Sequence, residues 1–154
     1  MLIIEITPQR GFPDAEFFEL RKLIDAAGIL QLVCGPQKTS LVSLKGESYL
    51  PNMRLEEVRV NEYDGVVFIG CSPGFIGLEN NPAAVKMAKD FFDAGKIVAA
   101  SGTAVSLLNS AGIPKDSEKV LTSAGESEVK DFADKIIVLL GGKKPLLAEQ
   151  VKQA

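Results

Sequence analysis

Short, continuously apolar runs alternate along the chain with longer segments of helical periodicity. Because the runs are continuous rather than alternating in polarity, they are typical of strands covered on both faces. The predicted strands are residues 2–6, 30–34, 65–69, 97–100 and 119–122. A sixth run, residues 41–44, is either an extra strand or part of an edge hairpin.

The helical segments begin and end at residues that commonly mark helix termini. Proline suits the first turn of a helix, and glycine suits the position just after the last turn. The predicted helices run from near Pro13 to Gly28, from Asn81-Pro82 to Gly95, from 103 to 110, from 127 to 140, and briefly after Pro145.

This order of elements predicts an α/β fold, a flavodoxin-like three-layer sandwich. Right-handed crossovers between successive strands give a parallel sheet of about five strands with helices on both faces. The expected strand order is 2-1-3-4-5. No linker, repeat or low-complexity segment interrupts the pattern, so residues 1–154 are predicted to form a single domain.

Charge and hydropathy exclude several classes of function. Lys and Arg number 17 against 20 Asp and Glu, a net charge of −3, which gives no basic surface for nucleic acid. No stretch reaches about 18 consecutive apolar residues, so no membrane span is expected. The amino terminus is too short and too acidic for a secretion signal. We therefore expect a cytoplasmic protein.

The content of histidine and cysteine limits the chemistry. The chain has no His, which excludes Ser-His-Asp and Cys-His catalysis and His-ligated metals. The two cysteines, Cys34 and Cys71, are too few for a thiolate zinc site. A chain of this length is stable without a disulfide between them. We expect no metal and no cofactor.

Ligands of open parallel sheets bind beyond the carboxyl ends of the strands. Three features fall there: Glu16 near the start of the first helix, Cys71 after Gly70 at the end of the third strand, and the bend Ser101-Gly102-Thr103. Each also has a purely structural interpretation. Glu16 can stabilise a helix amino terminus, Cys71 can act as a small buried hydrophobe, and Ser101 and Thr103 can cap a helix.

The glycine-containing loop after Ile69 matches no nucleotide-binding pattern. It lacks both the Gly-x-Gly start of a dinucleotide turn and the Gly-Lys-Ser/Thr end of a P-loop. Flavin binding is open on fold alone, but the first loop is poor in the hydroxyl residues that cradle a phosphate.

Four segments in this order resemble the ThiJ/PfpI family of the class I glutamine amidotransferase-like superfamily. They are GFPDAEFFELRKLIDAAGI, EYDGVVFIGCSPG, NNPAAVKMAKDFFDAGKIVAASGTAVSLLNSAG and VLTSAGESEVKDFADKIIVLLGG. Only about eleven residues separate Ala111 from Thr122-Ser123, where the family usually has a strand and connecting segment, so the resemblance is to a shortened member. The resemblance implies a homo-oligomer such as a dimer.

The family's functional residues carry over unevenly. Its site acid corresponds to Glu16, and its pair of glycines with oxyanion-binding N–H groups corresponds to Gly70 and Cys71. Its nucleophilic Cys corresponds to Gly102, and the His beside that Cys corresponds to Thr103.

These matches support two main hypotheses. In the first, the protein lacks the family's Cys mechanism and binds a small molecule or a partner in the cleft formed by Glu16, Gly70, Cys71, Ser101, Gly102 and Thr103. In the second, it is a hydrolase or deglycase that uses Cys71 as nucleophile with Glu16 as its acid–base partner. A structural or subunit role is a third alternative.

Overall fold

A computed structural model describes residues 1–141 of the chain. The short helix predicted after Pro145 lies outside the described residues. The strands are β1 (Leu2–Ile6), β2 (Arg10–Phe12), β3 (Leu30–Gly35), β4 (Leu41–Ser43), β5 (Ser48–Tyr49), β6 (Met53–Arg54), β7 (Gly65–Phe68), β8 (Ile97–Ser101) and β9 (Val120–Ser123). The α-helices are α1 (Leu20–Ala26), α2 (Pro82–Asp93), α3 (Val105–Ser110) and α4 (Val129–Leu139).

Six of these strands form one parallel sheet in the order β6-β3-β1-β7-β8-β9. The predicted order 2-1-3-4-5 and the α/β class are confirmed. The prediction of about five strands was one short, because the two-residue strand β6 adds to the edge of β3. The run at 41–44 is a strand, β4, but it belongs to a separate small sheet with β2 and β5.

The two faces of the large sheet carry separate apolar cores. Because side chains alternate along a strand, Val66 and Phe68 of β7 face one core and Val67 faces the other. Helices α2 and α3 cover the first core, and α1 and α4 cover the second. This arrangement is the predicted three-layer sandwich.

The helix ends follow the predicted signals, with one local difference. Asn81 precedes α2 and its side chain accepts hydrogen bonds from the N–H groups of Ala83 and Ala84. Gly28 follows α1 with φ of +80°, a conformation that suits glycine. The first helix, however, opens with a π-helical turn, Ala15–Glu19, before α1 begins.

Within residues 1–141, no helix is long and apolar enough to span a bilayer.

Removing the Asn81 cap should weaken the docking of α2. We expect Asn81→Ala to lower the free energy of unfolding by about 1 kcal/mol, because two amide groups at the helix start lose their acceptor. Urea denaturation measures the change. Asn80→Ala, an exposed neighbour, is the control and should change stability by less than about 0.5 kcal/mol. Equal losses in both variants would contradict the capping role.

Candidate functional site

The carboxyl ends of neighbouring strands bring the predicted site residues together. Glu16 follows β1 in the chain, Gly70 and Cys71 follow β7, and the bend that contains Gly102 follows β8. Since β1, β7 and β8 are adjacent in the sheet, their following loops meet at one edge.

Gly102 lies at the bend between β8 and α3, as predicted. Its φ is +56°, a backbone conformation that residues other than glycine rarely adopt. A Cβ atom built on Gly102 would lie 3.3 Å from Oε1 and 3.4 Å from Oε2 of Glu16. A side chain at this position would therefore project toward the Glu16 carboxylate, and glycine supplies none.

Glu16 occupies the π-helical turn and is 6% exposed. Its Oε2 accepts a hydrogen bond of 3.0 Å from the Ser101 hydroxyl. On another side it approaches Gly125, where an added Cβ would lie 2.8 Å from Oε1. The carboxylate is thus a buried, oriented acceptor that faces the bend.

Gly70 is required by a close approach between two backbones. A Cβ on Gly70 would lie 2.7 Å from the carbonyl oxygen of Ser101 and 2.8 Å from the amide nitrogen of Thr103. Such contacts with backbone atoms have no room to relax without moving the strand end or the bend. Only glycine therefore lets the β7 end pack directly against the bend.

The Cys71 backbone amide is already occupied by a side chain. Its N–H donates to Oγ1 of Thr103 at 2.9 Å. This is one of the two amides that the family resemblance assigns to oxyanion binding. In this structure it holds the Thr103 hydroxyl instead.

The Cys71 thiol is 8% exposed, and its Sγ donates to the carbonyl oxygen of Phe75 at 3.5 Å. Burial raises the pKa of the thiol, and the charges of Glu79 and Glu16 raise it further, while a hydrogen bond from Thr103 acts in the opposite direction. Cys71 is free, as is Cys34. This environment disfavours the thiolate.

Two structural interpretations made from the sequence were wrong. The Ser101 side chain makes no helix-capping bond and instead bonds Glu16. Thr103 contacts the Cys71 amide across the site. Gly125, beside Glu16, was missed, although its position just after β9 placed it at the same edge of the sheet.

The space around these residues is limited. A pocket of about 460 Å³ at this edge is lined by Gln9, Pro36 and part of segment 76–82, not by Glu16 or Gly102. Gly102 is partly exposed and Thr103 is exposed, so solvent approaches the site past these two residues. Among residues 1–141, no group of three or more Cys, Asp or Glu side chains is arranged to hold a metal ion.

Solved structures of similar proteins support the fold. The ThiJ/PfpI domain protein from Brachyspira murdochii shares 23% identity, with a TM-score of 0.80 over 91% of this chain and 96% of that one. DJ-1beta of Drosophila melanogaster shares 20% identity, with a TM-score of 0.78 over 93% of this chain and 92% of that one.

A further relative, the uncharacterized protein MJ0967 of Methanocaldococcus jannaschii, is 23% identical over 125 residues. The match covers 81% of this chain but only 61% of that relative's length.

The family model of the DJ-1/PfpI family matches residues 3–118, which include Glu16 and the Gly102 bend. This match covers most of the chain and agrees with the sheet order and the shared fold. The chain therefore belongs to the DJ-1/PfpI family.

Proposed function

We propose that this protein does not use the covalent Cys chemistry implied by the family resemblance, and that it binds a small molecule in the cleft beside Gly102. The observation that carries this proposal is the position of Gly102, whose missing side chain would point at Glu16 from 3.3 Å. Covalent catalysis needs a nucleophilic atom there, and no pKa adjustment replaces it.

The occupied amide of Cys71 supports the same conclusion. An oxyanion hole works because its donors are oriented toward the developing charge and ready to bind it. Here the Cys71 N–H already donates to Thr103 Oγ1, so a substrate oxygen would have to displace that hydroxyl. Both the nucleophile and one oxyanion donor are therefore lost at the same site.

The chemistry of the cleft indicates what it binds. Glu16 directs both carboxyl oxygens toward the position that a Gly102 side chain would occupy, and a carboxyl oxygen can accept a hydrogen bond from a ligand. The matching ligand is a small hydrogen-bond donor, such as an amide or an ammonium group. Its access past Gly102 and Thr103 favours a compact molecule.

The Cys71 environment does not favour the second hypothesis. A nucleophilic thiol requires a lowered pKa, whereas burial and nearby carboxylates raise the pKa of Cys71. Its Sγ is also held against the Phe75 carbonyl.

Filling the cleft should weaken ligand binding. Acetamide and methylammonium are suitable probes, and their binding is measured from the NMR shifts of the backbone amides of residue 102 and Gly125. We expect Gly102→Ala to weaken binding at least about tenfold, because the added methyl occupies the space 3.3 Å from Glu16 Oε1. Gly112→Ala is the matched control, since φ there is +70° and nothing lies within 4 Å of the added atom.

Both alanine variants place a methyl group in the left-handed region and should lose about 1 kcal/mol of stability. Only Gly102→Ala should bind acetamide and methylammonium more weakly than the native protein. The absence of any probe-dependent shift in the native protein, at probe concentrations up to 0.1 M or so, would refute the binding proposal.

Cysteine labelling separates the two hypotheses. We expect the native protein to resist iodoacetamide at pH 6 to 8. Because the pKa of Cys71 is raised, its thiol should react only when the pH exceeds the ordinary pKa of a cysteine. Mass spectrometry of the labelled peptides gives the rate, with Cys34→Ser to isolate Cys71. Rapid labelling of Cys71 at pH 6 would instead establish a reactive thiolate and support the enzyme hypothesis.

A further inference from the structure

A carboxyl group is buried in the middle of the large sheet, away from the Gly102 cleft. Glu5 lies on β1 and is 0% exposed. Alternation along β1 directs it toward the core covered by α1 and α4, since Ile4 and Ile6 face the other core. Neither carboxyl oxygen has a hydrogen-bond donor within residues 1–141.

The one ion pair of Glu5 in this part of the chain is loose. Nε of Arg21, on α1, lies 3.7 Å from Glu5 Oε1, beyond hydrogen-bond distance, and Nε itself has no acceptor in the described structure. An isolated carboxylate in an apolar core is far less stable than the protonated acid. Burial accordingly raises the pKa of Glu5 to about 8, even though the Arg21 charge acts to lower it.

Among the described residues, neither Glu5 nor Arg21 has a second ion pair within 4 Å. The strands β3 and β7, which flank β1, carry no acidic or basic side chains. On α1, Lys22 and Asp25 are exposed, and in the preceding turn Glu19 is exposed while Glu16 bonds Ser101. On α4, Lys130, Asp131 and Lys135 are exposed and Asp134 is partly exposed.

Arg21 is consequently a cation whose ion-pair partner, Glu5, is held by burial toward its neutral form. Its side chain is 23% exposed and stacks over the rings of Tyr49, at 4.7 Å, and Phe17, at 5.5 Å. These contacts fix the plane of the guanidinium group but supply no counter-charge. An anion from solvent would supply it.

A pocket of about 460 Å³ adjoins Arg21. It is lined by Phe18, Arg21, Lys22, Asp25, Leu30 and Gln31. Leu30 and Gln31 open β3, so this Arg21 pocket lies toward the amino ends of the strands, opposite the Gly102 cleft. The lining has two cations, Arg21 and Lys22, and one acid, Asp25, so the pocket has a net positive charge. The Phe18 ring and Leu30 add apolar surface.

We propose that the Arg21 pocket binds a small anion, and that binding is coupled to the proton on Glu5. A planar guanidinium recognises carboxylate or phosphate oxygens through paired hydrogen bonds. While Glu5 is protonated, Arg21 is available to the anion. When Glu5 ionises, it neutralises Arg21 and repels the anion, so binding weakens as pH rises.

The coupling is reciprocal. If ionisation of Glu5 weakens the anion tenfold, a saturating anion must raise the pKa of Glu5 by about one pH unit. The raised pKa of Glu5 also makes the folding stability depend on pH. Because the folded state holds the Glu5 proton more tightly than the unfolded state, its stability falls as pH rises from about 4.5 toward about 8.

The test measures binding of benzoate by calorimetry at pH 6.5 and pH 9.5 at constant ionic strength, and of inorganic phosphate at pH 6.5 alone, because phosphate itself loses a proton between these pH values. We expect benzoate to bind at pH 6.5 and to bind about tenfold more weakly at pH 9.5. Glu5→Gln, which mimics the protonated acid, should bind at both pH values alike and lose the pH slope in stability. Arg21→Gln should lose binding, and Arg59→Gln, a change at an exposed arginine elsewhere, should not.

The two probes distinguish the source of the anionic oxygens. Binding of either probe at pH 6.5 supports the anion site, and benzoate alone tests the coupling, because its charge is constant over this pH range. Benzoate should be preferred if the ring contacts Phe18 and Leu30. The carbon-13 shift of the Glu5 carboxyl group, followed with and without benzoate, tests the coupling even if Arg21→Gln fails to fold. Binding of neither probe at pH 6.5, binding that persists in folded Arg21→Gln, or a pH dependence of benzoate binding retained in Glu5→Gln would overturn the proposal.

Discussion

The site geometry depends on the close contact between the end of β7 and the bend after β8. This contact exists because Gly70 has no side chain, since a Cβ there would lie within 2.8 Å of two backbone atoms of the bend. It brings the Cys71 amide to the Thr103 hydroxyl and turns Gly102 toward Glu16. Two missing side chains therefore shape the site: that of Gly70 allows the strand end and the bend to meet, and that of Gly102 leaves no side chain at the position that the Glu16 carboxyl group faces.

Most of the large sheet followed from the sequence because its strands are buried on both faces. The run at residues 2–6 matches β1 at both ends, and the predicted order of the five main strands is the observed one. Strands β2, β5 and β6 were not predicted, because two or three residues are too short to show a periodicity. They form because neighbouring strands offer free backbone groups, which only the folded structure reveals.

The sequence also predicted which site residues meet, but not how they bond. Adjacent strand ends were enough to place Glu16 near Gly102. The hydrogen bonds of Ser101 and Thr103 depend on the direction of each hydroxyl group. The sequence pattern is equally compatible with helix capping, and that interpretation was wrong here. Glu5 was not singled out from the sequence, although it is an acid inside a buried apolar strand. Its pairing with Arg21 depends on how the π-helical turn rotates α1, and spacing along the chain does not fix that rotation.

The separation of the core into two layers also has an optical consequence. The chain has no tryptophan and two tyrosines, and these lie in different layers: Tyr63 belongs to the core under α2, and Tyr49 packs against the core under α1. Each layer thus contains its own intrinsic fluorophore. Replacing either tyrosine with phenylalanine would leave emission from one layer alone, so the loosening of the two halves of the sandwich during unfolding could be timed separately without any attached dye.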